Sequence, residues 1–366
     1  GYAPFPVRLP FETGQILATG AELKNTICLT RDDFAFLSQH IGDMENLETL
    51  EHFKASVALF QHLFRIEPEL VAYDLHPDYS ATKYARSLRS SAHPPVAIQH
   101  HQAHIAACLV DNGWQLDDGP VIGVAWDGTG YGLDGHIWGG EFFVGDYGGF
   151  RRAAHLEYLP MPGAEAAILN PWRLAFGYVY ALTGREIEPP GITQEATNIV
   201  RQQIDRGLNT PLTSAAGRLF DAVSALIGIR QQVTYEAQAA IEMDMAASRW
   251  SGSLPSGDTP PTYSFDLEEG DDATIIRLRS FVESILHDLD GELSPTEMGW
   301  RFHHSLANMI VTTCGQIAAQ TGLQTVALSG GCFQNRLLLD LLLPRLEQQG
   351  LHALLHRQVP CNDGGI

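Results

Sequence analysis

Basic residues are scarce in this 366-residue chain: 23 Lys and Arg stand against 43 Asp and Glu, a formal net charge of −20. Such a balance argues against a nucleic-acid backbone or an anionic membrane as the main partner. Long hydrophobic runs are missing as well. No apolar stretch approaches the ~20 residues that span a bilayer, so no transmembrane helix is expected. Cysteine is sparse and scattered: Cys28, Cys108, Cys314, Cys332 and Cys361 are odd in number and lack C-x-x-C spacing. This argues against a disulfide framework or a cysteine zinc site and points to a reducing, cytoplasmic setting. Neither a Walker P-loop nor a G-x-G-x-x-G fingerprint is present. The opening Gly1-Tyr2-Ala3-Pro4 carries no initiator Met and no signal-peptide character. Asn362-Asp363-Gly364-Gly365-Ile366 stops in what reads as a turn entering a new element, so a piece of a larger protein is expected.

What the chain does have is enough apolar content, 45%, to bury a large core and form two lobes. Ile16-Leu17-Ala18 and Thr26-Ile27-Cys28-Leu29 read as two short strands around a turn with Gly20, Lys24 and Asn25. A helix over 47–63, a strand at 71–75, a helix near 82–90 and a strand at 96–98 follow. The theme then restarts. Val121 to Trp126 reads as a strand, Asp127-Gly128-Thr129-Gly130-Tyr131-Gly132 as a tight turn, and Gly139 to Val144 as the returning strand. Residues 170–250 read as mainly helical, and Ser251 to Asp272 as a mobile connection rich in Ser, Gly, Pro and acids. A helix near 295–320 leads to a strand at 325–328, then Ser329-Gly330-Gly331 and a leucine-rich helix from Asn335. Two hairpin-led α/β lobes of this kind suggest the two-lobed actin and sugar-kinase type of ATPase, divided at 118/119.

The most informative stretch is Gln99-His100-His101-Gln102-Ala103-His104. At helical pitch His100 and His104 lie one turn apart on one face, as do the zinc-binding histidines of H-E-x-x-H. His101 stands where that motif has its glutamate, so a peptidase base is missing. Asp127, after a buried strand, and Asp363, in the Asn-Asp-Gly-Gly turn, are carboxylates able to join the pair. Two His and two Asp suit Zn²⁺ or Fe²⁺ with positions left open for substrate oxygens.

Gly128, Gly130, Gly330 and Gly331 are candidates to hold phosphate or adenosine through backbone N–H groups. Asn335 would add a side-chain hydrogen bond. Lys24 would neutralise phosphate, or is simply an exposed lysine. Asp221 would hold ribose hydroxyls, or pair locally. His303 and His304 read as structural, and Cys361 offers a conceivable nucleophile.

Gly20-Ala21-Glu22-Leu23-Lys24-Asn25, Asp74-Leu75-His76-Pro77-Asp78-Tyr79 and Gln99-His100-His101-Gln102-Ala103-His104 occur in order. Trp126-Asp127-Gly128-Thr129-Gly130-Tyr131-Gly132, Gly217-Arg218-Leu219-Phe220-Asp221, Ser329-Gly330-Gly331-Cys332-Phe333-Gln334-Asn335 and Asn362-Asp363-Gly364-Gly365 follow. This series resembles the C-terminal domain of the HypF carbamoyltransferases of [NiFe]-hydrogenase maturation, across essentially the whole chain. The resemblance implies a TsaD-like fold in the actin-like ATPase (ASKHA) superfamily. It implies a divalent metal, Zn or Fe, on His100, His104, Asp127 and Asp363, with His100, His104 and Asp127 catalytic. It implies ATP-derived carbamoyladenylate, made by a YrdC-like domain, as donor and the C-terminal cysteine of HypE as acceptor. His101 or His76 would be the general base. The family commonly has a further histidine where Gln102 stands, Gly-Gly-Asp where Ala164 and Glu165 follow Gly163, and glycine at Ala237. Rival expectations are a metallopeptidase, a small-molecule O-carbamoyltransferase and a non-catalytic module that docks nucleotide and partner.

Overall fold

The computed structural model describes residues 5–88, 93–252 and 261–366. The first lobe contains β1 (Val7–Ala18), β2 (Cys28–Leu37), α1 (Leu47–Phe64), β3 (Leu70–Asp74), α2 (Ser80–Ser87) and β4 (Val96–Ile98). Its sheet runs β2-β1-β3-β4, with β1 and β2 antiparallel and β3 and β4 parallel to β1. The hairpin read from the sequence is there, but its strands are longer. The helix expected near 82–90 runs over Ser80–Ser87 and ends there, with Leu88 in extended backbone; 89–92 lie outside the described residues.

After α3 (His100–Asp111), the second lobe opens with β5 (Val121–Tyr131), β6 (Ile137–Asp146), β7 (Gly149–Leu156) and β8 (Leu159–Pro160). Then come α4 (Glu165–Leu169), α5 (Trp172–Thr183), α6 (Gln194–Arg206), β9 (Leu212–Thr213), α7 (Ala216–Leu226) and α8 (Gln238–Ala247). β10 (Asp266–Glu269), β11 (Thr274–Arg277), α9 (Arg279–Asp290), α10 (Pro295–Thr321), β12 (Thr325–Ser329), α11 (Arg336–Gln348) and β13 (His352–Leu354) complete it. The main sheet runs β10-β11-β7-β6-β5-β12-β13. As in the first lobe, an antiparallel hairpin leads and the later strands, β12 and β13, continue parallel to its first strand. This is the repeated α/β layout that the sequence suggested.

Local chemistry sets the helix ends. The α10 start is capped by Ser294, whose Oγ accepts the Glu297 N–H at 3.2 Å; Pro295 occupies the first turn, and Gly322 at φ 77° closes the far end. The histidine helix α3 is capped by the Gln99 side chain, which accepts the Gln102 N–H at 3.0 Å. Its apolar face, Ile105, Cys108 and Leu109, is fully buried with Val121, Ala125 and Ala327 of β5 and β12. Thus α3 follows the first sheet in the chain but packs on the second. No helix among the described residues is long and apolar enough to cross a membrane.

Two expectations are corrected. Asp127 to Tyr131 is not a turn: β5 continues through it, and the reversal comes at Gly132–Gly135. Pairing with β6 jumps from Trp126↔Gly140 to Gly130↔Trp138, so Asp127, Gly128 and Thr129 form a bulge opposite Gly139. A bulge re-aims a strand side chain, and here it turns Asp127 toward α3. Nor is Ser251 to Asp272 wholly connection. Residues 253–260 lie outside the described set, but Asp266–Glu269 is strand β10, paired with β11.

The positions where the family favours glycine have a backbone reason. Ala237 sits at φ 59°, ψ 11° and Ala164 at φ 50°, ψ −113°, both on the side of φ where a Cβ is strained. Relief of that strain outweighs the extra unfolded-state entropy of glycine. Ala237→Gly is therefore expected to stabilise the chain by about 0.5–1 kcal/mol, read as a higher denaturant midpoint with an unchanged slope. A lower midpoint would sink the strain argument.

Candidate metal centre

Four side chains meet between the end of β4 and the end of the chain. One ligand atom each from His100, His104, Asp127 and Asp363 lies within 4.8 Å of the others. His100 Nε2 is 3.3 Å from Asp127 Oδ2 and 3.7 Å from Asp363 Oδ1. His104 Nε2 is 3.4 Å and 3.6 Å from the same two oxygens. The helix supplies the imidazoles one turn apart, the bulge supplies Asp127, and the turn after β13 supplies Asp363.

Both imidazoles are buried, and burial alone would lower their pKa values. The two carboxylates outweigh it, raising His100 well above its ordinary range, with help from Asp74, and raising His104 as well. Reciprocally, burial pulls Asp127 upward but the two histidines hold it well below the usual carboxylate range. Asp363 is lowered by the same imidazoles against burial and the neighbouring Asp127. Two like charges held this close call for a cation between them. The donor set fits a divalent one: His104 Nε2 is a buried nitrogen without a hydrogen-bond partner, facing two carboxylate oxygens.

Each imidazole is also oriented from behind. Asp74 Oδ2 meets His100 Nδ1 at 2.9 Å, while its Oδ1 accepts the His76 N–H at 2.8 Å. With Nδ1 donating to a carboxylate, the Nε2 lone pair of His100 faces the cluster. In the sequence Asp74 stands out only as part of a motif and without a role of its own; a strand-end aspartate after a buried run was the available signal.

The glycine-rich candidates surround this cluster, with their N–H groups partly engaged. The Gly331 N–H donates to Asp127 Oδ1 at 3.1 Å, and the Gly330 N–H to the Cys361 carbonyl at 2.8 Å. A Cβ on Gly130 would stand 2.4 Å from His101 Cε1 and 3.0 Å from His100 Cδ2, so this glycine lets the histidine helix approach the strand. Gly128 lies against Gly217 and Arg218 at the start of α7.

The other predicted residues have protein partners. Lys24 Nζ pairs with Glu236 across the lobes at 2.5 Å, and the charges of Asp363 and Asp127 also act on it. Asp221 pairs with Arg218 at 2.9 Å, both buried, which is the local-pairing alternative. Asn335 caps α11 by accepting the Leu338 N–H, and its amide donates to His303 Nε2 at 2.9 Å. His303 and His304 are buried in α10, as expected of structural residues.

The two suggested general bases sit in partly enclosed settings. His101 is fully buried, accepts from the Gln99 amide at 3.1 Å and lies beside Trp138. His76 stacks on Tyr79 with ring centroids 4.1 Å apart. Burial holds both below the ordinary histidine pKa. Burial also raises the Cys361 thiol to about 11, which removes the thiolate that a nucleophile needs.

The hairpin-led pair of α/β lobes is that of a Kae1-like domain. Residues 12–111 match the model of the HypF Kae1-like domain, and residues 123–366 that of the second subdomain of the carbamoyltransferase Kae1-like domain. The chain belongs to the HypF carbamoyltransferase family. It is 39% identical, over its whole length, to 47% of carbamoyltransferase HypF2 of Cupriavidus necator. A HypF homolog of the same organism is 36% identical over 96% of this chain and 89% of its own. Full-length HypF crystallised in a phosphate- and nucleotide-bound form superposes with a TM-score of 0.90 at 38% identity, over all of this chain and 56% of that one. Apart from that homolog, the chain spans about half the length of these relatives.

Proposed function

We propose that this chain is the carbamoyl-transfer unit of a HypF-type protein, moving carbamoyl from carbamoyladenylate to the C-terminal cysteine of HypE. The observation that carries the reading is the convergence of His100, His104, Asp127 and Asp363 on one point in a chain of this family. These four would hold a divalent ion, Zn²⁺ or Fe²⁺, which supplies Lewis-acid polarisation of the carbamoyl oxygen when bound. Lys24 is placed to leave Glu236 for the phosphate of an incoming nucleotide, and Gly128, Gly330 and Gly331 line its approach. Asp221, through Arg218, and Asn335, through α11, hold that wall of the site in place.

In the reaction the HypE thiolate attacks the carbamoyl carbon. The carbon–oxygen bond to the phosphate breaks, AMP leaves with the electron pair, and a thiocarbamate forms. The donor comes from a YrdC-like domain, and the setting is the cytoplasm. The two lobes, 1–118 and 119–366, share the work: the first ends in the histidine helix and the second brings both carboxylates. Hydrolysis of peptides is disfavoured because the peptidase glutamate is absent: buried His101 stands at its position.

The test supplies ATP, labelled carbamoyl phosphate, a separate YrdC-like domain and purified HypE to this chain. Label on the HypE terminal cysteine, absent with His104→Ala, is the expected result. Carbamoyladenylate forming while HypE stays unlabelled would overturn the reading, and label on sugar hydroxyls would move the acceptor to small molecules.

A further inference from the structure

Behind His104 lies a chain of buried polar groups that no motif announces. His104 Nδ1 is 3.2 Å from Ser329 Oγ, and the same hydroxyl is 2.8 Å from His356 Nε2. His356 Nδ1 in turn faces Asp111 Oδ2 at 3.9 Å. His104 and Ser329 are fully buried, and only 4% of the His356 side chain and 1% of the Asp111 side chain are exposed.

We infer that Ser329 and His356 are positioning residues for the metal centre, fixing the tautomer and aim of His104 through one hydroxyl. The inference rests on the metal reading above and assigns the relay that completes it.

Proton counting gives the chain one direction. Ser329 has a single hydroxyl proton and three neighbours that could take it: the two imidazoles and, at 3.4 Å, the Cys361 carbonyl. If that proton goes to His356 Nε2, the shortest contact, the hydroxyl oxygen is left to accept from His104 Nδ1–H. His104 then presents a bare Nε2 to Asp127 and Asp363, the form that a metal ligand requires. The opposite direction would place a proton on His104 Nε2 and block the ligand position. Ser329 therefore decides which nitrogen of His104 is free, and His356, its shortest contact, helps to set where the hydroxyl proton goes.

The relay is held at both ends by one helix. Asp111, at the last residue of α3, accepts the backbone N–H groups of Arg357 at 2.5 Å, Gln358 at 2.9 Å and Val359 at 3.4 Å. That clamp fixes the segment carrying His356 and, a few residues on, Asp363. The helix that begins with His100 and His104 thus also anchors the loop that delivers the fourth ligand. His100 has the simpler support of a carboxylate, Asp74, so the two imidazoles are oriented by different chemistry toward the same point.

The experiment is Co²⁺ affinity of this chain, measured by competition with a chromophoric chelator, for the unsubstituted protein, Ser329→Ala, His356→Gln and the double variant. Thermal melting in EDTA is recorded beside it to follow the metal-free fold. Each single substitution is expected to weaken Co²⁺ binding about 10- to 100-fold with little change in the metal-free melting curve. The double variant is expected to fall no further than the weaker single, because both act through one hydroxyl. Singles within about threefold of the unsubstituted chain, or losses that multiply in the double variant, would overturn the relay while leaving the metal reading intact. Failure of the unsubstituted chain to bind Co²⁺ would overturn both.

Discussion

Asp127→Asn is expected to lower carbamoyl transfer by at least about 100-fold and to abolish tight metal binding while the chain remains folded. The two oxygens of Asp127 do separate jobs. Oδ1 accepts the Gly331 N–H at 3.1 Å, which ties the bulge of β5 to the start of the Ser-Gly-Gly segment. Oδ2 faces both imidazoles, at 3.3 Å and 3.4 Å. Asparagine keeps the first contact through its carbonyl oxygen. Its amide then points at two Nε2 atoms that need an anionic neighbour to share a cation. The substitution is close to isosteric, so circular dichroism should be unchanged. Full transfer by Asp127→Asn would remove this carboxylate from the site.

Acid is expected to unfold the metal-free chain well before its carboxylates titrate. Burial pushes His303, His304 and His356 down to about 4, with Arg345 adding to it at His304 and His104 at His356. Each has a ring nitrogen that accepts: His303 from the Asn335 amide at 2.9 Å, His304 from Arg345 at 2.8 Å, and His356 from Ser329 at 2.8 Å. A protonated ring would set N–H against donor at His303 and His304, and would force the Ser329 hydroxyl to turn at His356. Their folded pKa values lie below the unfolded value near 6.5. The stability they supply is therefore complete above 6.5 and is lost as pH falls toward 4, where the unfolded chain binds protons that the folded chain refuses.

His100 and His104 shift the other way. Their contribution is complete below 6.5 and is lost only as pH rises through their raised values, so it does not offset the acid loss. Asp127 and Asp363, lowered, keep theirs down to the carboxylate range. The three losses fall in the same pH window and so act together. Denaturant midpoints between pH 7 and pH 4, in EDTA, measure them. A flat profile would contradict the burial argument, and His303→Gln should flatten it in part.

Much of the candidate site was legible because its side chains carry local signatures. His100 and His104 announce themselves by i, i+4 spacing at the start of a helix, and Asp127 by following a buried strand. The reading of Asp127 to Gly132 as a turn failed for a physical reason. Asp-Gly-Thr-Gly has turn composition, but here the glycines serve a bulge and the approach of a helix, and the reversal falls at Gly132–Gly135. Strands β10 and β11 were missed because Asp266–Glu269 is an acidic, mostly exposed edge strand whose partner alone makes it extended.

By itself the sequence determined the repeated α/β plan, the histidine helix and the family, since these rest on periodicity and on ordered motifs within single segments. Only the tertiary structure decided what stands behind the ligands. Asp74 behind His100, Ser329 and His356 behind His104, and Asp111 clamping the loop to Asp363 come from segments far apart in the chain. A buried hydrogen bond between such segments obeys no spacing rule. It exists because folding removed water from both partners, so each had to find the other.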